Sequence, residues 1–103
     1  MIIYYLTCAN DAEAKTIGMA LLEAKLAVCV RRIPVESSYW WDGKINNDAE
    51  ILLMIESRED KFEAINHLVR KLHSYNTYVL TAVPVVQTTP DIVRWIDETL
   101  DAS

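Results

Sequence analysis

Two glycines among 103 residues are too few to build a phosphate-cradling loop, and no Gly-rich motif occurs. Three prolines leave little irregular loop, and no repeat, linker or low-complexity tract breaks the chain. Basic residues are scarce. Ten Lys and Arg stand against fifteen Asp and Glu, for a net charge of −5. The only local basic pairs, Arg31-Arg32 and Arg70-Lys71, fall short of the clustered cations that release counterions from a nucleic acid, so no nucleic-acid partner is expected. No apolar run approaches the ~20 residues of a membrane-spanning helix, so no membrane span is expected. A Ser-His-Asp set, paired carboxylates on a helix face and a phosphate loop are all missing, which speaks against an enzyme.

Cysteine is also rare, with only Cys8 and Cys29, each in its own apolar segment. A disulfide is open to two cysteines, but free buried thiols are the commoner state inside cells. Strand-like residues begin at Ile2 with no leader-like segment before them. The chain is therefore expected to be cytoplasmic.

What is present reads as one domain over residues 1–103, with 51% hydrophobic residues and enough length to bury a core. Ile2 to Cys8 is β-branched and aromatic, the mark of a strand. Asn10 with Glu13 three residues on forms a capping box for a helix whose stripe is Ile17, Leu21 and Ala24, ending near Lys25. A second strand runs from Leu26 to Ile33, is interrupted by Pro34, and resumes from Ser37 to Trp41. That proline implies a bend, a bulge or an edge position.

Asp42-Gly43 is a hairpin-turn signal. A third strand follows from Glu50 to Ser57. Ser57 and Asp60 open a second helix with Phe62, Ile65, Val69 and Leu72 on one face. Val79 to Val86 makes the fourth strand, and Thr89-Pro90 starts a last helix carrying Ile92, Trp95, Ile96 and Leu100.

The order β-α-β-β-α-β plus a terminal helix predicts an α+β fold of the ferredoxin-like kind, with two helices on an antiparallel sheet. Its strands are apolar on both sides. Ile51, Leu53 and Ile55 alternate with Leu52 and Met54, where a sheet with one wet face would show polar residues. Something must cover the second face, and self-association is the simplest cover. The adjacent Trp40 and Trp41 at the hairpin tip fit that view as interface anchors better than as a base-stacking platform.

With these residues in hand, the chain resembles the CutA family of divalent-cation tolerance proteins. The likeness rests on Leu26-Ala27-Val28-Cys29-Val30, Tyr39-Trp40-Trp41-Asp42-Gly43-Lys44, Glu50, Leu72-His73, Tyr75, Pro84-Val85 and Trp95, in order and at nearly unchanged spacing. The resemblance implies a homotrimer built like the PII-type signalling proteins, with hairpin strands paired between subunits. It also implies a role in tolerance of, or response to, copper and other divalent ions, by binding rather than catalysis. The alternative is a PII-like regulatory or scaffolding trimer that holds a small metabolite or protein partner in its intersubunit clefts.

The chain departs from the family pattern between Ser74 and Val79, at Glu56-Ser57 and at Thr88. Leu6 and Leu72 stand where members with a proposed metal site carry a cysteine and a second histidine. His73 is the leading functional candidate. It serves either as a ligand or as a cap on the last turn of the second helix, where a partly charged imidazole suits the dipole. Cys8 lies two residues past the family cysteine and so on the same strand face. Cys8 with His73 is the expected weak site for a divalent metal ion, copper above all. Trp41, Lys44, Glu50, His73 and Tyr75 are the expected lining of an intersubunit cleft.

Overall fold

The computed structural model describes residues 1–102. β1 (Ile2–Cys8) leads into α1 (Asp11–Glu23), then β2 (Cys29–Trp41) and β3 (Lys44–Ser57). A 3-10 turn (Glu59–Lys61) opens α2 (Phe62–Leu72), followed by β4 (Leu80–Pro84) and α3 (Pro90–Leu100). All pairings are antiparallel, in the order β2-β3-β1-β4. The α+β arrangement expected from the element order is the one observed.

Tyr4, Leu6, Cys8, Leu53 and Ile55 turn one way from the sheet and pack with Ile17 and Leu21 of α1 and Ile65 and Val69 of α2. Gly18 lets α1 settle on β2, since a Cβ there would stand 3.0 Å from Val30 Cγ2. On the other face, Ile3, Tyr5, Leu52, Met54 and Val83 are only half-buried. α3 covers one corner, packing Ile96 and Leu100 on Val28, with Met1 and Cys29 beside them. Arg58 ties α3 down through Asp97 (3.1 Å) and Asp101 (2.8 Å).

β2 and β3 form a two-stranded arm that pairs from Cys29↔Glu56 to Trp41↔Lys44. The molecule is accordingly drawn out to 45 × 28 × 21 Å. Asp42 (φ 53) and Gly43 (φ 74) turn the arm with both central residues left-handed, the geometry that matches strand twist. At its tip Trp40 is 72% exposed and Trp41 60%.

Several boundaries move. Pro34 does not interrupt β2. It sits in register with Ile51 on an edge strand, where a missing N–H costs no ladder bond. β2 begins at Cys29 rather than Leu26, because the chain after α1 is spent on a Schellman close: Leu26 N–H donates to Leu21 O and Lys25 N–H to Leu22 O. That close puts Lys25 at φ 59 and ends the helix at Glu23.

β3 starts at Lys44, six residues before Glu50, because polar residues on a solvated arm carry no apolar signal. Ser57 does not open α2. It is buried at the end of β3 and its hydroxyl donates to Leu26 O (2.6 Å). β4 is shorter than Val79 to Val86, and Thr89 precedes α3 without a side-chain cap bond.

Candidate functional site

The fold brings Cys8, Glu13 and His73 together. Their thiol, carboxylate and imidazole ligand atoms all lie within 4.8 Å of one another. Strand parity carries Cys8 to the helix-facing side, where it is fully buried. Only Ala9 and Asn10 separate β1 from α1, so Glu13 in its first turn folds back over the strand end. α2 ends beside that junction and delivers His73 as its C-cap, with His73 N–H donating to Val69 O (2.8 Å).

Each member already has partners. Asn10 caps α1 through Glu13 N–H (2.9 Å), as expected. The reciprocal half of the capping box shifts by one residue: Glu13 accepts from Ala9 N–H (2.7 Å) instead of Asn10 N–H. Its other oxygen accepts from Ser74 N–H (2.5 Å), which locks α1 to the turn after α2. Burial opposes ionisation of Glu13. The Ala9 and Ser74 donors outweigh it and hold the carboxyl below its ordinary value.

His73 does not act as a charged cap on α2, because its ring turns away to β1. Nδ1 accepts from Tyr75 N–H (3.0 Å), so the proton sits on Nε2, which donates to Thr7 O (2.8 Å). The ring is a neutral Nε2–H tautomer with no exposed side-chain surface. Tyr78 stacks on it at 5.2 Å and Tyr75 tilts against it at 4.8 Å. Burial, with the charges of Glu13 and Glu50, pushes the Cys8 thiol up to about 12. It rests as a neutral thiol facing Leu6 O.

Of the residues expected to line a cleft, three meet within one chain. Tyr75 donates its backbone N–H to His73 and its hydroxyl to Glu50 Oε2 (2.7 Å). Burial first, then the Glu50 carboxylate, raises the Tyr75 phenol above its usual range. Trp41 and Lys44 face each other at the arm tip, and within one chain they do not join the others. Six residues of strand separate Lys44 from Glu50, about 20 Å at ~3.3 Å per residue.

Glu13 and Thr7 are the participants that sequence reasoning missed. Locally, Glu13 reads as half of a capping box. The available signal was its place at the junction following Cys8, on the helix's first turn. Cys29 is half-buried rather than sealed in the core, and both cysteines are free.

Residues 2–99 match the family model described as CutA1 divalent ion tolerance protein. The "Divalent-cation tolerance protein CutA" of Archaeoglobus fulgidus is 37% identical over 97 residues, covering 94% of this chain and 95% of that protein. The "Protein CutA homolog" of Xenopus laevis is 41% identical over 95 residues, which span 91% of this chain but 63% of that longer protein.

Among solved structures, the periplasmic divalent cation tolerance protein CutA from Archaeoglobus fulgidus superposes with a TM-score of 0.95 at 36% identity, covering 98% of this chain and all of that one (100%). CutA1 from Oryza sativa superposes with a TM-score of 0.93 at 33% identity, covering 99% and 94%. No helix among the described residues is long and apolar enough to cross a membrane.

Proposed function

Because the chain belongs to the CutA1 divalent ion tolerance family, we propose that it responds to divalent cations by binding them, as a homotrimer, without catalysis. The convergence of Cys8, Glu13 and His73 carries this reading. A thiol, an imidazole and one carboxylate suit a late transition ion such as copper or zinc, and would serve magnesium or calcium poorly. Loading has two costs on this geometry. Cys8 must lose a proton that burial holds to about 12, and Tyr75 N–H must leave Nδ1. The site is therefore weak, strengthens with pH, and opens only when the turn at Ser74–Tyr75 yields. A buried thiol held neutral is a poor nucleophile, which supports binding over chemistry.

The half-buried outer face of the sheet and the exposed tip tryptophans support the trimer. In it, an arm from one chain would carry Trp41 and Lys44 toward Glu50, His73 and Tyr75 of a neighbour. Cytoplasmic residence belongs to the same proposal. It is supported by the two free thiols and set against the relative from Archaeoglobus fulgidus described as periplasmic.

Calorimetric titration of copper and zinc into wild type, Cys8→Ser and His73→Ala tests the cation site. Binding lost in both variants supports it, and identical isotherms in all three overturn it.

A further inference from the structure

One turn occupies the acceptor atoms that an ion would need. Ser74 N–H donates to Glu13 Oε1 (2.5 Å), and Tyr75 N–H donates to His73 Nδ1 (3.0 Å). The two acceptors stand 3.8 Å apart, so consecutive backbone amides fill one lone pair on each. The remaining contacts of both side chains lie elsewhere. Ala9 N–H holds Glu13 Oε2 (2.7 Å), and His73 Nε2–H donates to Thr7 O (2.8 Å). A histidine that ligates through one ring nitrogen commonly donates the other to a backbone carbonyl. The ring is therefore already oriented for ligation through Nδ1, and only the turn stands in the way.

The same turn is tied at a second point. The Tyr75 hydroxyl donates to Oε2 of the buried Glu50 (2.7 Å). A bond to an ionised acceptor is stronger than one between neutral groups. Tyr75 thus holds His73 with its backbone and Glu50 with its side chain. Glu50 Oε1 takes no part in this bond, which leaves it for Lys44 of a neighbouring chain in the proposed trimer. Residues 73–79, between α2 and β4, form neither helix nor strand, so the turn can shift without breaking a ladder.

We propose that the Ser74–Tyr75 turn is a latch coupling the cation site to the cleft at Glu50. An ion entering between Cys8 Sγ, Glu13 Oε1 and His73 Nδ1 expels both amides. The displaced turn then draws the Tyr75 hydroxyl off Glu50, so an ion bound inside one chain is felt at the subunit boundary. The coupling is reciprocal. Whatever holds Tyr75 on Glu50 weakens ion binding, and whatever draws it off strengthens it. The latch rests on the cation site proposed above.

Calorimetric titration of zinc at fixed pH and ionic strength compares wild type, Tyr75→Phe, Glu50→Gln and Tyr39→Phe. The first two variants loosen the latch from its two ends, and each is expected to bind zinc about tenfold more tightly. Tyr75→Phe keeps Glu50 for its neighbour and carries the test should Glu50→Gln fail to fold or assemble. Tyr39→Phe removes another tyrosine–carboxylate bond, to Asp48, without touching the turn, and its zinc affinity is expected to stay at the wild-type value. Saturating zinc should also speed hydrogen exchange at the Ser74 and Tyr75 amides. Zinc binding in Tyr75→Phe but not in wild type supports the latch as well. Equal affinity in all four proteins, equal tightening in Tyr39→Phe, or unchanged exchange at saturation overturns the latch and leaves the cation site standing. No zinc binding in any of the four overturns both.

Discussion

His73 Nε2 stands 2.8 Å from the carbonyl oxygen of Thr7, and this bond joins the end of α2 to the end of β1. With Nδ1 taken by Tyr75, the ring is a structural bolt before it is a ligand. His73→Ala would leave the Thr7 carbonyl and the Tyr75 N–H without partners and open a void beneath Tyr78. A loss of about 2–4 kcal/mol is expected, read as a lower urea midpoint at unchanged slope.

The double duty of His73 shows where sequence reasoning reached and where it stopped. That Leu53 and Ile55 share one side of the sheet, with Leu52 and Met54 on the other, followed from alternation alone, because side chains along a strand repeat with period two. Asn10 as a cap and Asp42-Gly43 as a turn followed from local chemistry. The misses share another cause. Ser57 reads locally as a helix opener, but its hydroxyl is claimed by Leu26 O, 31 residues away in sequence. Glu13 was half of a capping box until Ser74 supplied its second partner, 61 residues away. Local propensity cannot report a bond made only once the chain has folded back. Pairing Cys8 with His73 came from parity along β1 and from family likeness together. That Tyr75 would hold Nδ1 was not legible at all.

Cys8 predicts an alkaline weakness in the metal-free protein. Its folded thiol is raised from an ordinary 9.0 to about 12, so the unfolded chain gives up its proton first. Stability from this group is fully present below about pH 9 and is lost as pH rises toward about 12. The raised phenols of Tyr4 and Tyr75 add to the fall in the same direction. Thermal melts across that window should show a shallower decline in Cys8→Val than in wild type. Parallel declines would remove Cys8 from the account.

Lys25 holds a left-handed conformation, φ 59, that a glycine adopts without penalty. Its close on Leu22 O is made by the backbone, so the substitution keeps the bond. Lys25→Gly is expected to stabilise the fold by about 0.5–1 kcal/mol. Chemical denaturation checks it, and a destabilised variant would mean that the lysine side chain contributes more than the strain costs.

Trp41 bears on assembly. At the arm tip it has little to pack on within its own chain, so Trp41→Ala should leave the subunit fold intact. In the proposed trimer it removes an anchor worth about 2–4 kcal/mol. Light scattering across a dilution series should show the variant dissociating at concentrations where wild type stays assembled. An unchanged trimer would move the anchor elsewhere, and a wild-type monomer would remove the trimer itself.

The central claim is that Cys8 and His73 bind the same ion. X-ray absorption at the metal edge reads this directly, on protein loaded with zinc in a Cys29→Ser background so that Cys8 is the only available thiolate. The account predicts a coordination shell containing one sulfur and one imidazole nitrogen. A shell of nitrogen and oxygen donors alone, with no sulfur, would contradict it.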